Sequence, residues 1–114
     1  FVFFAPPYSI LYWDTQKQNG TDGAMLTTLE YAYRALLERD NVRAFYFQNE
    51  KDIIFDLGNY KDITHYSGEI NRYMVDCFVS GRSELTAENI GRVFTDMRET
   101  VSGFDYADFI RENP

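Results

Sequence analysis

The sequence predicts an α/β domain built on a parallel sheet, and three observations carry that prediction. Phe1-Val2-Phe3-Phe4-Ala5 is an uninterrupted apolar run closed by Pro6-Pro7. Runs of this kind read as strands covered on both faces, as strands of parallel sheets are. A helical pattern of about four turns follows, and then Val42-Arg43-Ala44-Phe45-Tyr46-Phe47, short and rich in aromatic and branched residues, reads as a second strand. Strand, helix and strand make a crossover unit, whose two strands lie parallel and end on the same edge of the sheet.

Taken in order, the first strand ends at Pro6 and Pro7, which cannot donate to a ladder. Tyr8 to Trp13 is apolar, and either starts a short helix or lines a cleft. Asn19-Gly20-Thr21-Asp22-Gly23 is a turn cluster, with Thr21 or Asp22 as a helix cap. From Ala24 to about Arg39, Met25, Leu29, Ala32, Tyr33 and Leu36 recur on one helical face, with Glu30 and Arg34 paired on the other. After the second strand, Ile53-Ile54-Phe55 is a short strand or a single helical turn. Ser67 caps a helix over 68–80 whose apolar face carries Ile70, Met74, Cys77 and Phe78, and Gly81 ends it. Thr86 caps a further helix over 87–101 with Ile90, Val93, Phe94, Met97 and Val101 inward. Ser102-Gly103 breaks it, and Phe104 to Glu112 adds a last short helix.

Length and composition bound the answer. The 114 residues suit one domain, 1–114, with a modest core, and ten Phe and nine Tyr supply much of that core. A net charge of -7 argues against a nucleic-acid partner, because phosphate binding needs a basic surface. No apolar run reaches the length of a membrane span. With one His and one Cys, a zinc site has little to be built from, and no cofactor is implied. Cys77 on an apolar helix face reads as a core residue. No Gly-rich phosphate loop follows a strand, which disfavours a receiver or nucleotide-binding domain.

The chemistry gathers in Asp56 to Asn71. This stretch holds the only histidine, His65, with Asp62 three residues before it. A histidine so placed is held by the carboxylate through one ring nitrogen and presents the other to a reacting group. The plainer reading is a surface loop whose histidine only hydrogen-bonds. The pair lies downstream of the second strand and can return to the carboxyl edge of the sheet, where ligands of open α/β sheets bind. Tyr8, Tyr12, Trp13 and Tyr66 either line a substrate cleft there or serve as packing.

A strand ending in Pro6-Pro7-Tyr8-Ser9, a helix, an aromatic strand, and then Asn59-Tyr60-Lys61-Asp62-Ile63-Thr64-His65-Tyr66-Ser67 together resemble the carboxyl-terminal half of an SGNH (GDSL-type) hydrolase. The resemblance implies a flavodoxin-like three-layer domain and ester hydrolysis or O-acyl transfer, with Asp62 and His65 as the family's Asp-x-x-His block. It further implies an acylated carbohydrate or other small ester as substrate. An extracytoplasmic or envelope-associated setting is implied as well, as in bacterial members that modify cell-surface polysaccharides. The family's Gly-Asp-Ser nucleophile block and its oxyanion-hole glycine and asparagine are not among these residues. Ser9 sits behind two prolines without the small residues of a nucleophile turn, and Ser67 reads as a helix cap. The expectation is therefore a carboxyl-terminal portion that needs the amino-terminal half of the same protein. Two strands and three helices leave a sheet edge open, which predicts an exposed apolar patch and the option of dimerisation through that edge. The alternative is a non-catalytic α/β domain whose aromatics bind a glycan or a protein.

Overall fold

A computed structural model describes all of residues 1–114. The chain is a mixed α/β domain in which six helices surround a three-stranded sheet. The strands are β1 (Val2–Ala5), β2 (Arg43–Tyr46) and β3 (Glu84–Leu85), in spatial order β1-β2-β3. The helices are α1 (Ile10–Gln18), α2 (Asp22–Leu37), α3 (Lys51–Ile54), α4 (Gly68–Ser80), α5 (Ile90–Gly103) and α6 (Tyr106–Glu112), with a 3-10 turn at Leu57–Asn59.

The expected parallel pair is present, with Val2 opposite Arg43 and Ala5 opposite Tyr46. The sheet as a whole is not parallel, however. β3 pairs antiparallel with β2, Ala44 facing Leu85 and Phe45 facing Glu84. A two-residue strand carries no alternation to read, and it forms only because the chain passes β2 on its way from α4 to α5.

Alternation along β2 divides the core. Ala44 and Tyr46 join Ala5 and Leu85 on one face, against Trp13 of α1, Leu26 and Tyr33 of α2, and the inward stripe of α5. Phe45 and Phe47 point the other way, against Ile70, Met74 and Cys77 of α4. Successive strand residues alternate faces, so one buried strand organises both layers. Cys77 is buried in the second cluster, as its helix face requires.

α1 resolves the segment that the sequence left open. Ile10 and Trp13 are fully buried on its inner side. One turn further along, Lys17 donates to Val101 O (2.9 Å) and Phe104 O (2.6 Å), carbonyls at the carboxyl end of α5. A cation there joins the Phe104 N–H on Val101 O, satisfies Phe104 O and complements the helix dipole. α2 buries Leu26 and Tyr33, while Met25 and Leu29 are half-buried and Ala32 is exposed. The apolar stripe is thus only partly covered on the side towards β1. Glu30 pairs with Arg34 (2.6 Å) on its own helix and with Arg98 of α5 (2.8 Å), so this pair does more than solvate a surface. Those two arginines hold the Glu30 carboxyl below its usual range against the opposing pull of burial.

Residues 51–54 form a helical turn. α4 keeps the expected bounds, with Gly81 as a left-handed carboxyl cap at φ 82°. Ser67 occupies the cap position of α4 without a side-chain capping bond. At the entry to α5, Thr86 and Asn89 exchange bonds, Thr86 N to Asn89 Oδ1 (2.9 Å) and Asn89 N to Thr86 Oγ1 (3.1 Å). This is a reciprocal box of the capping type. α5 then runs through Ser102 and Gly103 rather than breaking there, because the helix closes only at Phe104.

β1 is the open edge of the sheet. Phe1, Val2, Phe3 and Phe4 are 81, 47, 42 and 42% exposed. The strand has no charge, bulge or proline within it, the usual protections of an edge. No helix of the chain is long and apolar enough to cross a membrane.

Candidate active site

The Asp62/His65 stretch is a small hairpin held to the carboxyl edge of the sheet. Tyr60 and Tyr66 form an antiparallel bridge, and Lys61 N donates to His65 O at 2.8 Å. Ser67 N donates to Asn59 O at 2.8 Å and closes the base. Two anchors fix this hairpin to the loop after β1. Ile63 O accepts from both Ser9 N (3.1 Å) and Ser9 Oγ (2.9 Å), and Tyr60 OH donates to Pro7 O at 2.6 Å. The turn therefore sits beside the ends of β1 and β2, the position where α/β sheets bind ligands.

At the tip the Asp62 carboxylate organises both the turn and the imidazole. Its Oδ1 accepts from Thr64 N (2.9 Å) and His65 N (2.8 Å). Its Oδ2 lies 2.6 Å from His65 Nδ1. The two amides, and then the imidazole, hold the Asp62 carboxyl well below the usual carboxylate range. The carboxylate is thus ionised and oriented before any substrate arrives. With Nδ1–H donated to Asp62, the neutral ring carries its lone pair on Nε2. The His65 side chain is 76% exposed, so Nε2 is open to a reacting group. A base oriented by a third group is the recurring arrangement of acyl-transfer sites.

A cavity of about 490 Å³ adjoins the imidazole, walled by Pro6, Tyr8, Tyr12, Thr64, Tyr66 and Asn71. Three of the four aromatics singled out in the sequence come together here. Tyr8 and Tyr12 meet edge to face at 4.7 Å between ring centroids. Burial, and then the neighbouring Tyr8, push the hydroxyls of Tyr12 and Tyr66 above the ordinary phenol value. Both remain neutral groups able to donate a hydrogen bond. Trp13 is elsewhere: it is fully buried and does not line this cavity, because α1 turns residue 13 into the core while residues 8 and 12 stay at its mouth.

Of the two serines considered as nucleophiles, Ser9 is engaged in structure, while the Ser67 hydroxyl makes no capping bond. Ser9 is fully buried and its Oγ–H is given to Ile63 O. Ser67 occupies the helix-cap position of α4. Pro7 was named from the sequence only as the close of the first strand, and Tyr60 and Asn71 only within the stretch around His65, none of them as an anchor or a wall. Their only signal is a tyrosine and an asparagine flanking the Asp-x-x-His pair, which no spacing rule selects.

Tyr60→Phe removes the 2.6 Å bond to Pro7 O and leaves a carbonyl without its donor. The expected cost is about 1 kcal/mol of stability, measured by urea denaturation. The His65 ring signals should broaden or shift as the hairpin loosens, and unchanged signals would show that Ser9 alone holds the turn.

No family model matches the chain, and no curated protein or solved structure is significantly similar to it.

Proposed function

We propose that this chain supplies the base and its orienting acid, His65 and Asp62, to a serine-dependent acyl-transfer site of SGNH type. The observation that carries the reading is the 2.6 Å contact between Asp62 Oδ2 and His65 Nδ1, on a pinned turn beside the carboxyl ends of two parallel strands. His65 Nε2 takes the proton of a serine hydroxyl as its oxygen bonds to the ester carbonyl carbon. The resulting imidazolium, stabilised by Asp62, gives that proton to the departing alcohol oxygen as the C–O bond breaks. In hydrolysis, water repeats the sequence on the acyl-serine; in transfer, an acceptor alcohol takes its place. Tyr8, Tyr12 and Tyr66 offer aromatic faces and hydroxyls suited to the acylated carbohydrate or small ester. The serine and the oxyanion donors are supplied from outside residues 1–114. The unprotected edge of β1, with its exposed Val2, Phe3 and Phe4, is the surface on which that part packs. Self-pairing through the same edge competes with it.

The test is labelling by a serine-directed phosphonate. The 114 residues alone should take up no label at Ser9 or Ser67. The longer polypeptide, including the serine-bearing part, should be labelled in a reaction that requires His65. Labelling of Ser9 or Ser67, or labelling that is indifferent to His65, would overturn the reading. Glycan binding with no ester turnover would return the domain to a non-catalytic binding module.

A further inference from the structure

A second cavity, of about 390 Å³, lies beyond the carboxyl end of β2 and shares no lining residue with the one at His65. Its size falls within the roughly 300–1,000 Å³ of small-molecule sites, and the carboxyl ends of strands are where α/β sheets bind ligands. Most of its lining is polar. Asn49 and Glu50 follow β2, Ser83 and Glu84 lead into β3, and Asn89 and Arg92 stand at the start of α5. Ser83 holds a left-handed backbone at φ 62°, which a residue other than glycine adopts only at a cost. From there its carbonyl accepts from Tyr46 N (3.1 Å) and its hydroxyl donates to Glu50 Oε1. Tyr73 OH donates to the same oxygen at 3.1 Å. Glu50 is thus held by one carboxylate oxygen, while the other, Oε2, has no partner and stays accessible. Asn49 gives its amide N–H to Asp96 (3.2 Å) and keeps its Oδ1 free. Glu84 is taken by Arg43 at 2.6 Å, from outside the cavity. Arg92 is exposed and makes no ion pair, with Glu50 or with any other acid. One cavity therefore presents an oriented carboxylate and a free guanidinium that do not neutralise each other.

We propose that this cavity binds a small zwitterion of the α-amino-acid class, its ammonium group on Glu50 and its carboxylate on Arg92. The ammonium brings three donors, for Glu50 Oε2 and Asn49 Oδ1, and the carboxylate suits the planar fork of an arginine. Other charge types fit worse. An anion such as phosphate would meet two carboxylates, Glu50 and Glu84, with one free cation to set against them. A metal ion lacks its ligands, since no three His, Cys, Asp or Glu side chains in the chain are grouped to hold one. A simple amine would leave Arg92 unanswered, and a neutral polyol would leave both charges so. Holding Ser83 and Tyr73 occupies only one oxygen of Glu50 and does not account for Arg92. The proposal stands independently of acyl transfer, and its test needs no turnover.

Glycine, L-alanine and L-serine are titrated against the 114-residue protein while the backbone amide signals of Ser83, Glu84 and Arg92 are followed by ¹H–¹⁵N NMR. At least one should shift those signals saturably. Its α-amide, which lacks the carboxylate, and its N-acetyl form, which lacks the ammonium, should each bind about tenfold or more weakly, the loss of one charge-assisted contact. Arg92→Gln, at an exposed position that the fold does not need, should weaken the amino acid about tenfold without weakening its α-amide. Glu50→Gln keeps the shape and the acceptor for Ser83 and Tyr73, and should weaken the amino acid by a similar factor without weakening its N-acetyl form. If Glu50→Gln lacks dispersed amide signals, Arg92→Gln and the two blocked ligands still decide the matter. No saturable shift from any of the three up to about 10 mM would overturn the proposal. So would blocked forms that bind as tightly as the amino acid, a titration unchanged in Arg92→Gln, or shifts confined to the surroundings of His65.

Discussion

On the acyl-transfer reading proposed above, replacing His65 with alanine is expected to lower ester hydrolysis by at least about 10⁴-fold in a polypeptide that carries both this turn and a nucleophilic serine. Folding should be untouched. The side chain is 76% exposed, and its bonds go only to Asp62 and, weakly, to Thr64, so nothing in the core depends on it. Asp62→Asn should also cost about 10⁴-fold, for a different reason. An amide N–H offered to Nδ1 selects the imidazole tautomer that has no lone pair on Nε2. The pH dependence follows from the sign of the Asp62 shift. Its carboxyl sits well below the usual range in the folded chain, so the contribution of the turn is complete above the ordinary carboxylate pKa. It is lost only as the pH falls through the depressed folded value. Initial rates on short acyl esters, with circular dichroism of each variant, check both statements. Full activity in the His65→Ala protein would remove Asp62 and His65 from the chemistry altogether.

The largest stability effect is expected at Phe94. It is fully buried on α5, its ring centroid 4.7 Å from that of Tyr46, inside the cluster that joins α1, α2 and α5 to the sheet. Phe94→Ala removes an aromatic ring from a closely packed site and leaves a cavity, at a cost of about 3–5 kcal/mol. Against a total of about 5–15 kcal/mol for a domain, that brings the chain close to unfolding at ordinary temperature. Val79→Ala on α4, where the side chain is 86% exposed, should change stability by less than about 0.5 kcal/mol. Urea denaturation of the pair measures the contrast. A loss below about 1 kcal/mol for Phe94→Ala would mean that the first core is not packed as described.

What was legible in the sequence follows from where the physics is local. β1 and β2 announce themselves as apolar runs, and their parallel pairing follows from the helix between them. α4 is bounded by Ser67 and by Gly81, whose left-handed φ only glycine adopts without strain. β3 was not legible, because Glu84 and Leu85 become a strand only through β2. α1 was ambiguous because its inner face includes Asp14, 8% exposed, and it leads to Lys17, whose partners are carbonyls more than eighty residues away. The predicted face of α2 included Ala32, which is exposed. The Asp62–His65 pair was readable from its three-residue spacing alone. Its anchoring was not, because Ser9 to Ile63 and Tyr60 to Pro7 are bonds to backbone carbonyls, which have no residue signature. Trp13 looked like a cleft aromatic alongside Tyr12, but one step along α1 takes it away from the wall of the His65 cavity and into the core.

The central claim is that Asp62 fixes His65 with its proton on Nδ1 and a bare Nε2. Since His65 is the only histidine, its ring nitrogens can be read without assignment ambiguity in a long-range ¹H–¹⁵N correlation spectrum. Recorded where the ring is neutral, the spectrum should show a protonated Nδ1 and an unprotonated Nε2, with the pattern lost in Asp62→Asn. A proton resident on Nε2 in the unmodified chain would contradict the account, because that nitrogen could not then accept a proton from any serine.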